Sequence, residues 1–127
     1  HFYTGDKGFN FDAGIVMQKA DTDLSKLIQD GGINSYNIDK YVSQLCQAVI
    51  YLQINNVWHK DLKPANVLYF KSTDTLKISD LGFSNLINCK DENEYNVSYT
   101  LNYRPPEILL GYEKSDINGD LFALGVT

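Results

Sequence analysis

Four side chains near the middle of the chain have the types and spacing for chemistry on a phosphoryl group. The run His59-Lys60-Asp61-Leu62-Lys63-Pro64-Ala65-Asn66-Val67-Leu68 sets Asn66 five positions after Asp61, with Lys63 between them. A second acidic position follows in Asp80-Leu81-Gly82-Phe83. Asn66 and Asp80 offer hard oxygens, the donor type that suits Mg²⁺. Asp61 can orient a hydroxyl and accept its proton. Lys63 can neutralise charge on a transferred group. Gly82 after Asp80 leaves the backbone free to turn. Asp80 before glycine also fits an ordinary turn residue.

These residues need elements to bring them together. Val67-Leu68-Tyr69-Phe70 and Leu76-Lys77-Ile78 flank Lys71-Ser72-Thr73-Asp74-Thr75 and read as a hairpin. Such a hairpin returns Asp80 to Asn66. Upstream, residues 37 to 55 carry Ile38, Tyr41, Val42, Leu45, Val49 and Leu52 at steps of three and four. That spacing predicts a core-facing helix ended by Asn55-Asn56, with Cys46 on its packed side. Asp23 is placed to cap a short helix from Leu24 to about Asp30, stopped by Gly31-Gly32. The opening, with glycines at 5, 8 and 14 among aromatics, reads as another hairpin. Residues 82 to 105 read as a long, mostly polar loop, a feature usually functional or mobile. Its acidic stretch 91–94 reads as a solvated surface. An apolar helix begins near Ile117.

Composition narrows the class. With 127 residues and 43% apolar content the chain is large enough to bury a core. A net charge of -5 argues against a nucleic-acid-binding surface. No apolar run reaches the roughly 18 residues needed to cross a bilayer. No signal peptide is visible at the start. Cys46 and Cys89 lack the spacing of a zinc site and fit a reducing compartment, so a cytoplasmic or nuclear location is expected. The first residue is His1, which suggests a piece of a longer chain.

Taken together, the motifs resemble the eukaryotic protein kinase family, over essentially the whole chain. That family carries His-Arg-Asp-Leu-x-x-x-Asn and Asp-Phe-Gly, and here these positions read His59-Lys60-Asp61-Leu62-Lys63-Pro64-Ala65-Asn66 and Asp80-Leu81-Gly82. Tyr103-Arg104-Pro105-Pro106-Glu107 resembles the Ala-Pro-Glu segment, and Asp120-Leu121-Phe122-Ala123-Leu124-Gly125 the start of a helix deep in the larger lobe. Thr100-Leu101-Asn102-Tyr103-Arg104 is most similar to the cyclin-dependent and related kinases, with Asn102 in place of their usual tryptophan.

The resemblance implies an α+β, protein-kinase-like fold that is an incomplete domain. It implies an N-lobe strand remnant over 1–17, a hinge over 18–23 and a partial, mainly helical C-lobe over 24–127. It implies Asp61 as catalytic base, with Lys63 and Thr100 assisting. Asn66 and Asp80 become Mg²⁺ ligands, and ATP becomes the co-substrate. Met17 falls at the gatekeeper position, where a packed core residue is an equally good reading. The backbone at Gln18 and Ala20 would bond adenine, and Leu68 would form its floor. Asp23 would reach the ribose, a role open beside its helix cap. His59 and Leu81 match a buried apolar spine, with His59 a packed histidine rather than a catalytic one. Asp120 would hold the catalytic-loop backbone. Arg104 would shape a pocket preferring proline after the target residue.

The expected activity is ATP-dependent serine/threonine phosphorylation, since Lys63 fits that class better than tyrosine kinases. The partners implied are protein substrates and an activating subunit such as a cyclin. Lys60 stands where the family has an arginine, and Asn85 where relatives often have another, so a phosphate clamp is weakened. Activation without the usual loop phosphothreonine is therefore expected, with Glu92 or Glu94 as stand-ins and Tyr95, Ser98 and Tyr99 as phosphosites. The glycine-rich loop, the strand lysine and the helix glutamate of the family are not in this sequence, so the isolated 127 residues are expected to be inactive. The alternative function is a truncated kinase or pseudokinase that acts as a binding scaffold. A small-molecule kinase of similar fold is a weaker option.

Overall fold

The computed structural model describes residues 2–3, 14–86, 99–111 and 118–127. The expectations placed on Cys89, Glu92, Glu94, Tyr95 and Ser98 lie outside these residues.

The chain opens with β1 (Phe2–Tyr3) antiparallel to β2 (Gly14–Ile15), the expected first hairpin. Extended chain then leads to β3 (Thr22–Asp23). Asp23 closes the strand and opens α1 (Leu24–Gln29), because its Oδ1 accepts from the Lys26 N–H at 2.9 Å. Gly31 ends α1 in the left-handed region at φ 70°, which a residue with a Cβ enters at a cost. A Cβ at Gly32 would stand 2.5 Å from Leu27 Cδ1 and 3.0 Å from the Leu27 carbonyl, so Leu27 would have to shift.

The long helix α2 (Ile38–Ile54) buries Tyr41, Leu45 and Val49, a seam stepping by four. Ile38 and Val42, expected on that stripe, are exposed, and Leu52 and Cys46 are half-buried. Ile38 and Val42 lie beside the seam rather than on it.

β4 (Val57–Trp58) leads into the motif loop and a tight turn at Pro64–Asn66. Then β5 (Val67–Phe70) and β6 (Thr75–Ile78) form the expected hairpin, registered Val67 to Ile78 through Phe70 to Thr75. β3 adds to the other edge of β5, so the sheet order is β3-β5-β6. Beyond it, β7 (Asn85–Leu86) returns to pair with β4. A short α3 (Pro106–Leu109) and α4 (Asn118–Val126) complete the described strands and α-helices.

One cluster joins α1, α2, the motif loop, the sheet and α4: Leu24, Tyr41, Leu45, Val49, Leu62, Val67, Leu76 and Ala123. The β5–β6 turn is tied to α2 through Asp74. That carboxylate accepts from Tyr41 Oη at 2.6 Å, Tyr69 Oη at 3.0 Å and Lys40 Nζ at 2.6 Å. Among the described residues no helix is long and apolar enough to cross a membrane.

Candidate active site

The motif loop is held from below by one buried carboxylate. Asp120, on the first turn of α4, accepts from the His59 N–H at 2.7 Å and the Lys60 N–H at 3.0 Å. Burial pushes its carboxyl above the ordinary range, and the two backbone donors offset only part of that. Lys60 sits in the left-handed region at φ 66°. That costly conformation for a side chain with a Cβ is stabilised by the Asp120 bond to its own N–H.

His59 is fully buried. Its Nδ1 accepts from the Asp61 N–H at 3.3 Å, which leaves Nε2 to donate to the Ser79 carbonyl at 2.9 Å. Both ring nitrogens are therefore engaged in structure, as a packed histidine requires.

Asp61 is the centre of the site. Its Oδ2 accepts from Lys63 Nζ at 2.7 Å and from Asn66 Nδ2 at 3.0 Å. Its Oδ1 accepts from Thr100 Oγ1 at 2.6 Å and from the Thr100 N–H at 3.2 Å. Burial raises the Asp61 carboxyl, but the bonds from Lys63, Thr100 and Asn66 outweigh it and hold it below the ordinary value. Asp61 is thus a carboxylate at neutral pH. Lys63 Nζ also donates to Thr100 Oγ1 at 2.8 Å, closing a triangle of ammonium, carboxylate and hydroxyl.

Asn66 spends its amide nitrogen on the Asp61 carbonyl at 2.8 Å and on Asp61 Oδ2. That leaves Oδ1 as the amide atom available to a metal. The Asn66 carbonyl accepts from the Ser79 N–H at 2.8 Å and Ser79 Oγ at 2.9 Å. The hairpin therefore returns the chain to Asn66 one residue before Asp80. Asp80 is exposed and itself adopts the left-handed region at φ 62°. The sharp turn expected at Gly82 is thus made by Asp80. Gly82 provides space instead, since a Cβ there would stand 3.3 Å from Asp80 Oδ1. Two oxygens and a cleared space fit Mg²⁺, which is commonly held by one or two protein groups plus phosphates and water.

The adenine-side residues are only partly assembled. Asp23 and Leu68 are directly opposite on β3 and β5. Asp23 already has its cap bond to Lys26, and Leu68 is half-buried. Met17 is 68% exposed, so the packed-core reading of Met17 is wrong in this chain. The strand expected through it stops at Ile15, and no described element covers that face. Gln18 is exposed, with Oε1 accepting from Lys77 Nζ at 3.1 Å, and Ala20 is half-buried. Leu81, expected in a buried spine with His59, is 52% exposed for the same reason.

The motifs imply no role for Trp58, and for Tyr99 only that of a phosphosite. Trp58 Nε1 donates to Tyr99 Oη at 2.9 Å, and the Lys60 ammonium lies 4.8 Å from the centre of the Trp58 ring. Arg104 Nη2 donates to the Tyr99 carbonyl at 2.9 Å. The one available signal was that Trp58 is the chain's single tryptophan and directly precedes the motif.

The family described as protein kinase domain matches residues 10–127. Cyclin-dependent kinase B1-1 of Arabidopsis thaliana is 33% identical over 118 residues, covering 87% of this chain and 38% of that protein. Cell division control protein 2 homolog C of Antirrhinum majus is 34% identical over 118 residues, with 87% and 39% covered. Among solved structures, the yeast RNA Pol II CTD kinase CTDK-1 complex contains a chain with a TM-score of 0.72 and 33% identity. That likeness covers 85% of this chain and 36% of the other. The chain therefore spans well under half the length of these relatives.

Proposed function

The chain belongs to the protein kinase family, and we propose that the protein transfers the γ-phosphoryl group of MgATP to serine or threonine hydroxyls of proteins. The observation that carries this reading is the closed triangle of Asp61, Lys63 and Thr100, with Asn66 bonded to the same carboxylate.

Each residue then has a physical task. The ionised Asp61 accepts a hydrogen bond from the incoming hydroxyl and takes its proton as the oxygen attacks. Burial of Asp61 limits competition from water. Lys63 lies against both Asp61 and Thr100, so its positive charge stands where negative charge accumulates on the transferred group. Thr100, anchored on Oδ1 by both backbone and hydroxyl, fixes the plane of the carboxylate. Oδ1 of Asn66 and the carboxylate of Asp80 would hold Mg²⁺, which when bound neutralises phosphate charge. Leu68 and Asp23 would meet the base and ribose, and the backbone of residues 18 to 20 the adenine edge.

Preference for serine or threonine, and for a following proline near Arg104, belongs to the same proposal. A cyclin as activating subunit is supported by the names of relatives such as the cyclin-dependent kinase B1-1 of Arabidopsis thaliana. The test is to incubate the full-length protein with γ-labelled MgATP, with and without a cyclin, and with peptides ending their recognition run in Ser-Pro, Thr-Pro or Tyr-Pro. Label on the serine and threonine peptides is expected. Nucleotide binding with no transfer under any condition would replace the enzyme reading with a binding scaffold.

A further inference from the structure

Trp58 touches both arms of the segment that runs from Asp80 to Thr100. At the near arm, its backbone pairs with Asn85 through the β4–β7 ladder. At the far arm, its Nε1 donates to Tyr99 Oη at 2.9 Å across 41 positions of sequence. Tyr99 is buried and is covalently joined to Thr100, whose Oγ1 lies 2.6 Å from Asp61 Oδ1. The face of the same indole carries the Lys60 ammonium at 4.8 Å. Lys60 is buried and directly precedes Asp61. One residue thus joins the start of the segment through its backbone, and the segment's end and the loop that bears the carboxylate through its side chain.

We propose that Trp58 is a positioning residue for phosphoryl transfer, fastening Tyr99 so that Thr100 stays on Asp61. This rests on the kinase reading above. The indole suits the task for two reasons. It is a donor only, so its Nε1–H needs an acceptor when shielded from water, and the Tyr99 hydroxyl supplies one. Its ring face attracts a cation, which gives Lys60 a partner of a kind that an aliphatic residue could not provide. The Trp58–Tyr99 bond is neutral and internal to the fold. The alignment of Thr100 with Asp61 accordingly has a support that requires no phosphate on the segment.

The test compares the full-length parent with Trp58→Phe, Tyr99→Phe and the double variant. Trp58→Phe removes the donor and keeps a smaller ring face for Lys60; Tyr99→Phe removes the acceptor hydroxyl and keeps its ring. Each single variant is expected to lower kcat about 3- to 10-fold, the range for losing one neutral hydrogen bond from the reactive arrangement. Rates are normalised to nucleotide-binding sites, so unfolded protein does not enter. The KM for ATP is expected to stay within about twofold, because neither residue is among the groups assigned to the nucleotide. The double variant should be no slower than the slower single variant, since both remove the same bond. The emission of Trp58, isolated as the difference between parent and Trp58→Phe spectra, should shift in Tyr99→Phe. An unchanged kcat in both single variants, or losses that multiply in the double variant, would overturn the positioning role and leave the kinase reading intact. A parent with no transfer activity would remove both.

Discussion

Thr100 Oγ1 and Asp61 Oδ1 lie 2.6 Å apart although 39 positions separate them in sequence. The bond joins the motif loop to the far end of the segment after Asp80. Lys63 closes the arrangement by donating to both partners, at 2.7 Å to Asp61 and 2.8 Å to Thr100. Loop and segment therefore share one charged, hydrogen-bonded node.

Replacing Thr100 tests that node through its hydroxyl. Thr100→Ala removes a donor to a carboxylate and an acceptor for Lys63. The loss of one charge-assisted bond predicts a fall in kcat of about tenfold or more. Thr100→Ser keeps the hydroxyl and should stay within about threefold of the parent in the same peptide assay.

Asp120 carries a stability prediction. Asp120→Ala leaves the buried N–H groups of His59 and Lys60 without their acceptor. Each unsatisfied buried donor costs about 1–3 kcal/mol, so a total loss of about 2–6 kcal/mol is expected in urea unfolding. Asp120→Asn retains one side-chain oxygen and should lose roughly half as much. Equal stability of the alanine variant and the parent would mean the loop is not held from α4.

Asp74 gives a pH prediction. Bonds from Lys40, Tyr41 and Tyr69 lower its carboxyl from 3.8 to about 2. A depressed acid binds fewer protons folded than unfolded, so its contribution is full above 3.8 and falls away as pH drops through about 2. Melting curves between those values should show a declining limb in the parent. In Asp74→Asn that limb should be shallower, with a lower melting temperature at neutral pH. Superimposable pH profiles would exclude a stabilising role for this carboxylate.

Metal binding separates Asp80 from Asn66. Asp80→Asn removes a formal negative charge, whereas Asn66→Ala removes one neutral oxygen and also a donor to Asp61. With a nucleotide analogue present, Mn²⁺ titration should show weaker metal binding in both, about tenfold or more for Asp80→Asn. Equal Mn²⁺ affinity in parent and Asp80→Asn would remove Asp80 from the ligand set.

Local rules made much of this legible in the sequence. The Asp23 cap, the Gly31 stop, the α2 seam and the β5–β6 hairpin each follow from side-chain chemistry within a few residues. The spacing of Asp61, Lys63 and Asn66 survives into space because a tight turn and a strand follow directly. The left-handed backbone of Lys60 and Asp80 has no such local signal, because it is imposed by Asp120 and by the return of the hairpin. The Trp58–Tyr99 bond is likewise a product of tertiary approach. Met17, Leu81, Ile38 and Val42 are exposed despite their apolar character for another reason. Periodicity and motif position report which residues are apolar, while burial depends on whether an element covers them.

The most direct test of the central assignment is the single-turnover rate of phosphoryl transfer to a Ser-Pro peptide by the full-length parent and by Asp61→Asn, measured with ATP affinity. If Asp61 is the group that accepts the substrate proton, the variant should bind ATP like the parent and transfer about 10²- to 10⁴-fold more slowly. Equal transfer rates at equal ATP occupancy would show that Asp61 is not the base and would contradict the account.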